Sequence, residues 1–392
     1  MIYLDYAATT PISSSALQTF EKLSTDIYGN SSSLHDAGGK ADNILKYCRK
    51  TLAKLINGDP EGIYFTSGGT EANFLAIHSI LNGLPSEKRH FLMTEMEHQS
   101  IHILKQQLTM QGFEVSTMKP NADGVITTDI LKRHLRPETG LVSIQHANSE
   151  TGVIQPLREL SSYLHRQGVL LHSDAVQTFA KIPVNASDLG VDALSISSHK
   201  VYGPKGTGAV YMKPGVNWKP VYPGTLHEKG FRSGTVNVPG IGAFIEAAEW
   251  TINQMNEVYE KHQKLRNHFL QGLVNRKLPI SLAVSASANS EVLPHILGCF
   301  FDAFEGQYVM LECNRHNICI STGSACSAGY HEPSNTMKAL NISTEQALQF
   351  IRISFGYDTS KEHVDQLLDV FSAMNDEKGD YRIGGGNETY GS

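Results

Sequence analysis

Cysteine is scarce in this sequence and nowhere forms a C-x-x-C pair. The five copies, Cys48, Cys299, Cys313, Cys319 and Cys326, outline neither a disulfide framework nor a structural zinc site. No apolar run approaches the ~18–20 residues that span a bilayer. The opening stretch "MIYLDYAATT" lacks the basic flank and apolar segment of a secretory signal. Positive charge is also short. Against 39 Asp and Glu stand 33 Lys and Arg, for a net charge of −6, which argues against nucleic-acid binding or a basic membrane-binding face. The Walker A loop and the G-x-G-x-x-G fingerprint are missing too, so ATP and dinucleotides are poor expectations. What remains is of ordinary composition, 40% hydrophobic and 18% charged over 392 residues, and the expectation is a soluble, cytoplasmic protein. That length allows about two to three domain-sized units.

From about residue 60 to 213, short β-rich runs alternate with helical patterns. The candidate strands are "IYFTS" (63–67), "HFLMTE" (90–95), "EVSTMK" (114–119), "LVSIQHA" (141–147), "LLHSDA" (170–175), "ALSIS" (193–197) and "GAVYM" (208–212). Stretches such as "TEANFLAIHSILN" and "HQSIHILKQQLTMQG" lie between them. The alternation predicts an α/β doubly wound domain with a mostly parallel, seven-stranded sheet. A long helical pattern over about 239–274 leads away from it, and the rest reads as a smaller α+β C-terminal domain. The expected division is 15–255 for the large domain and 1–14 with 256–375 for the small one. Residues 376–392, ending in a Gly-rich stretch, read as a disordered tail.

Function in such sheets gathers at the C-terminal ends of the strands, where Thr70, His98, Asp174 and Lys200 fall. In "FTSGGTEAN" a strand runs into Ser67-Gly68-Gly69-Thr70 and then a helix. Glycines admit an anion to the backbone, and a helix N-terminus offers free N–H groups. A capped helix after a tight turn reads equally well. Asp174 closes an apolar run and needs a partner, either a protonated ring nitrogen or an arginine. His98 opens a helix, as an N-cap or as a flat ring over a cofactor. In "SISSHKVYGPKG" a strand ends in Ser197, Ser198, His199 and Lys200. A lysine there is either snorkelling to water or being used. Together these residues supply a phosphate cradle, a carboxylate for a ring nitrogen, an imidazole and an amine, the parts of a pyridoxal 5′-phosphate site.

The ordered motifs "YLDYAATTP", "YGNSSSLH", "FTSGGTEAN", "EHQS", "HSDAVQ", "SSHKVYGPKG", "FRSGT", "STGSAC…EPS" and "IRISFG" cover nearly the whole chain. In them the sequence resembles the NifS/IscS-like cysteine desulfurases, of the class V aminotransferase group of fold-type I pyridoxal-phosphate enzymes. The resemblance implies that Lys200 carries the cofactor, Asp174 pairs with its ring nitrogen, Gln177 reaches the phenolic oxygen and His98 stacks on the ring. It places Gly69, Thr70, Ser197 and His199 on the phosphate, with Thr235 arriving from a neighbouring subunit of a homodimer. Arg352 would hold the substrate carboxylate, and Asn30 and Arg232 would line the substrate pocket. One departure stands out: in "HANSETG" the family's second asparagine is Ser149, whose hydroxyl reaches less far.

Cys326 sits in the Ser/Gly/Ala-rich "ISTGSACSAGYHEPSN", the context of an exposed loop. Cys48, Cys299 and Cys319 read as packing residues, and Cys313 has no clear place. The resemblance makes Cys326 the nucleophile and implies L-cysteine as substrate, with L-alanine and a Cys326 persulfide as products. Lys200 and His98 would be the proton-handling partners. No resident metal is implied, although Cys326 can meet an iron–sulfur cluster when sulfur passes to a scaffold or another thiol acceptor protein. The rivals are a selenocysteine lyase or other class V enzyme, and a non-enzymatic thiolate scaffold built on Cys313, Cys319 and Cys326.

Overall fold

The computed structural model describes residues 1–284, 290–302, 304–322 and 333–383. After a short strand β1 (Ile2–Tyr3), the chain lays down β2 (Ile63–Thr66), β3 (His90–Thr94), β4 (Glu114–Met118) and β5 (Thr139–Ser143). β6 (Leu170–Asp174), β7 (Ala193–Ser197) and β8 (Gly208–Met212) follow. β2 to β8 form one seven-stranded sheet in the order β2-β8-β7-β6-β5-β3-β4. Only β8 runs against its neighbours, so the sheet is mostly parallel, as the alternating pattern predicts. Adjacent residues alternate between two cores: Leu92, Val142 and Leu194 enter one, Phe91, Met93, Leu141 and Ala193 the other. A parallel sheet covered by helices on both faces reads this way.

The C-terminal part adds β9 (Ile280–Leu282), β10 (Ile296–Phe301), β11 (Ile318–Cys319) and β12 (Phe350–Ser354). β9, β10 and β12 make an antiparallel sheet, and β1 pairs with β11 in parallel. A separate core forms here around Leu4, Phe269, Phe301, Ile353 and Phe371. From β1 the chain runs past Ser354, whose hydroxyl accepts the Ala7 N–H at 2.8 Å, and on to His199. There the Thr10 backbone N–H and hydroxyl both donate to the His199 carbonyl, at 2.9 and 3.0 Å. This N-terminal strap joins the small sheet to the end of β7.

Three differences from the sequence reading stand out. β5 ends at Ser143, short of Ala147, because the Glu97 carboxylate takes the Gln145 N–H and the Asn148 side chain accepts the N–H groups of Glu150 and Thr151, turning the backbone into a loop. The helical pattern over 239–274 is two helices, Val238–Asn253 and Met255–Asn275, divided at Gln254. The last helix, Lys361–Ile383, continues past residue 376, since "NDEKGDYRI" contains no proline and a single glycine.

One buried ion pair fixes the loop that carries Arg232. Arg49 grips Glu228 with both guanidinium nitrogens, at 3.0 and 2.8 Å, and also donates to the Ile63 carbonyl. The Phe65 N–H bonds the same carboxylate at 2.7 Å. Glu228 and Lys229 adopt left-handed backbone, φ 45° and 55°, a conformation that non-glycine residues keep only under surrounding constraint. Arg49→Ala is therefore expected to cost about 3–5 kcal/mol in urea unfolding, because it strands a buried carboxylate. A joint Arg49→Met and Glu228→Leu replacement should recover much of that loss. A single variant as stable as the parent would show the pair to be dispensable.

Candidate active site

The C-terminal ends of β2, β3, β6 and β7 converge on a cavity of about 260 Å³. Gly69, Thr70, His98, Asp174, Gln177, Ser197, His199, Lys200 and Arg352 all line it, so nine of the residues singled out from sequence come together. Asn30 and Thr235 are exposed and Arg232 is half-buried. None of these three lines the cavity in the single chain. Arg232 instead pairs with Glu71 at 2.8 Å. Cys326 lies outside the described residues.

An anion cradle is built where β2 meets the helix Gly69–Gly83. Gly68 caps that helix with backbone alone, since no side chain bonds its first N–H groups. A Cβ at Gly69 would sit 2.9 Å from a methyl of Val176, and one at Gly208 only 2.7 Å from the Gly68 backbone. The hydroxyl of Ser197 faces this space, buried and without a hydrogen-bond partner among the described residues. A buried hydroxyl with no partner is costly. An oxyanion bound here would satisfy it together with the free helix N–H groups.

Lys200 follows β7 on a single turn of 3₁₀ helix. Its ammonium donates to the carbonyls of Ala7 and, at 2.8 Å, Ala8. The Gln177 amide shares the Ala7 carbonyl at 3.0 Å. Burial first, and then the Arg352 cation, press the Lys200 amine down to about 7 from 10.5. Arg352, on β12, is 2% exposed. It pairs with Asp5 at 2.8 Å and donates to the Ser149 carbonyl at 3.1 Å, while its Nε is buried without a partner among the described residues. Ser149 lines the cavity at the position of the missing asparagine.

Asp174 ends β6 and accepts the Val176 N–H at 2.9 Å and the Asn73 amide at 2.7 Å. Asn73 also donates to Ser100 at 3.0 Å, and Ser100 meets His98 Nδ1 at 2.9 Å. Burial holds the His98 imidazole below the ordinary range and Lys200 adds to this, while Asp174 opposes it. Asn73, Ser100 and Asp5 were not singled out from sequence. Asn73 stands inside the quoted "FTSGGTEAN", but only the fold shows which side of its helix meets β6.

Fold and site define an α/β enzyme scaffold whose cavity joins an anion cradle, a carboxylate and a buried lysine. The chain belongs to the aminotransferase class-V family, whose model matches residues 2–367. It is 64% identical over 384 residues to a Bacillus subtilis (strain 168) protein named "Putative cysteine desulfurase NifS", covering 98% of this chain and 97% of that one. It is 37% identical to the "Cysteine desulfurase IscS" of Dictyoglomus turgidum, over 95% of this chain and 94% of the relative. Among solved structures, a "NIFS-LIKE PROTEIN" superposes with a TM-score of 0.88 at 30% identity, over 96% of this chain and 99% of that one. The fold is therefore that of the fold-type I enzymes. "SspA in complex with cysteine" superposes with a TM-score of 0.79 at 29% identity, over 91% and 99% of the two chains.

The depressed lysine gives a direct test. Capture of an added aldehyde by Lys200, trapped with borohydride and located by peptide mapping, should rise through about pH 7. Arg352→Leu should move that midpoint upward, because a repelling cation is gone. A midpoint near 10.5 in the parent chain would contradict the buried, repelled amine.

Proposed function

We propose that this protein is a pyridoxal-phosphate-dependent cysteine desulfurase. It removes sulfur from L-cysteine, releases L-alanine and leaves a persulfide on Cys326. The observation that carries the reading is the meeting of the Lys200 amine, the Asp174 carboxylate and the Gly69–Ser197 cradle around one cavity, in a chain with desulfurase-named relatives along its length. The class V family uses pyridoxal phosphate, and this donor set fits it. The cradle would take the phosphate, Asp174 would take the ring nitrogen, and Lys200 is partly neutral near pH 7. Bound there, the cofactor supplies an aldehyde for the amino group and a ring that accepts electron density.

The chain's own residues do the rest. Arg352 holds the substrate carboxylate, a task that suits its fork and its unpartnered Nε. Lys200 moves protons at the substrate α-carbon. The Cys326 thiolate attacks the substrate sulfur, so an S–S bond forms as the C–S bond breaks. L-cysteine and the enzyme thiol thus become L-alanine and the persulfide. Burial pushes the thiols of Cys48, Cys299 and Cys313 up to about 12, which unfits them as nucleophiles and weighs against a thiolate scaffold on Cys313. The residues flanking the Cys326 segment are fastened beside the cavity. Ser321 and Arg352 exchange backbone hydrogen bonds at 3.1 and 2.7 Å, and the Ser334 hydroxyl donates to Glu150 at 2.6 Å.

The site is completed in a homodimer. Thr235 and Asn30 are exposed in one copy, and the loops carrying them also expose Tyr28, Leu34, Tyr222 and Leu226. Apolar surface of this kind marks an interface, and a second copy would bury it while bringing Thr235 to the neighbouring phosphate cradle. The division into 15–255 and 1–14 with 256–375 is supported by the β1–β11 pairing and by the separate core beneath it. Among the described residues no helix is long and apolar enough to cross a membrane. The persulfide would pass to an iron–sulfur scaffold or another thiol acceptor in the cytoplasm.

Cys326→Ser should keep the cofactor's visible absorption and still bind L-cysteine, yet form neither alanine nor persulfide, because a serine hydroxyl is a poor nucleophile toward sulfur. Peptide mass analysis after one turnover of the parent enzyme should find the extra sulfur on Cys326. Full alanine production by the variant would sink the assignment, and so would sulfur on Cys313 or Cys319. Sedimentation should give a dimer, and an active, cofactor-saturated monomer would overturn the shared site.

A further inference from the structure

The cavity wall contains a polar chain whose direction is set at one end. The Asp174 carboxylate only accepts, so the Asn73 group bonded to its Oδ2 at 2.7 Å must be the amide nitrogen. That same nitrogen reaches Ser100 Oγ at 3.0 Å. Ser100 Oγ therefore accepts there, which leaves its own hydrogen for His98 Nδ1 at 2.9 Å. The Ser100 backbone N–H, which can only donate, also points at Nδ1, at 3.2 Å. Two donors converge on one ring nitrogen.

We infer that Asn73 and Ser100 are positioning residues that hold His98 as a neutral imidazole with its hydrogen on Nε2. His98 lines the cavity, and Nε2 has no hydrogen-bond partner among the described residues. The ring thus presents a donor to the cavity and has no lone pair there with which to act as a base. Protonating His98 would put a hydrogen on Nδ1 against the Ser100 N–H. The charged groups facing the ring are Asp174 at the end of β6 and Lys200 after β7. Asp174 favours the imidazolium, whereas Lys200 and burial oppose it; His102 and His199 also lie within electrostatic reach. A neutral imidazole that donates is an established way to stabilise developing negative charge. Which atom receives that donation rests on the desulfurase reading above, but the tautomer does not.

Full-length holoenzyme carrying ¹⁵N-labelled histidine rings tests this by two-bond proton–nitrogen correlation, with His98→Gln identifying the signal. The expected spectrum has hydrogen on Nε2 and a bare Nδ1. It should remain mostly neutral at about pH 6.5, where an ordinary histidine is half protonated. Ser100→Ala should shift the protonation midpoint upward and mix the tautomers. Ser100→Thr should restore both, and Asn73→Ala should shift the midpoint the same way by less. Hydrogen on Nδ1 in the parent enzyme would overturn the assignment, as would a midpoint indifferent to Ser100→Ala. An enzyme with the expected spectra that releases no alanine from L-cysteine would overturn the proposed function and leave this assignment standing.

Discussion

The site depends on burying one lysine amine without a carboxylate of its own. Among the described residues Lys200 bonds the carbonyls of Ala7 and Ala8 and no carboxylate, and such bonds compensate an ammonium poorly for lost water. Arg352 adds a second cation, and together they press the amine down to about 7. A lysine held this way is partly a nucleophile near neutral pH, as carbonyl chemistry requires. The cost falls on the surrounding structure. Holding those carbonyls in place takes the N-terminal strap, anchored at one end by β1 on β11 and the Ser354 hydroxyl, and at the other by Thr10 on His199.

The large sheet was legible in the sequence because its strands are apolar on both faces and separated by clear helical patterns. All seven candidate runs are strands of that sheet. Their boundaries slipped where side chains compete with the ladder, as Glu97 and Asn148 do after β5. The strand-end residues were legible too, since a hydroxyl, imidazole, carboxylate or amine at the end of a buried strand demands a reason. Asn73, Ser100 and Asp5 carried no such demand. Each is an ordinary polar residue by local pattern, and its part exists only through contacts far along the chain, such as Asn73 with Asp174 and Asp5 with Arg352.

Asp5 also explains how two cations share one cavity. It neutralises Arg352 at 2.8 Å, and its charge favours the Lys200 ammonium, which Arg352 disfavours. The lysine pKa is thus a balance among groups from three separate parts of the chain. A substrate carboxylate entering the cavity would add negative charge beside Arg352, as Asp5 already does, and shift that balance toward the ammonium. On the proposed role of Arg352, substrate capture and the protonation of Lys200 would be coupled through the guanidinium.

The same arginine links this chemistry to the segment that carries the proposed nucleophile. Arg352 lies on β12, and its backbone pairs with Ser321, five positions before Cys326 in the sequence. Its side chain bonds the carbonyl of Ser149, next to Glu150, which accepts the hydroxyl of Ser334 on the far side of that segment. One residue therefore touches the N-terminal strap, the turn after β5 and the start of the cysteine segment. A replacement that kept the positive charge but lost the planar fork could not reach Asp5 and the Ser149 carbonyl from two separate nitrogens. At this position shape constrains the choice of residue as tightly as charge does.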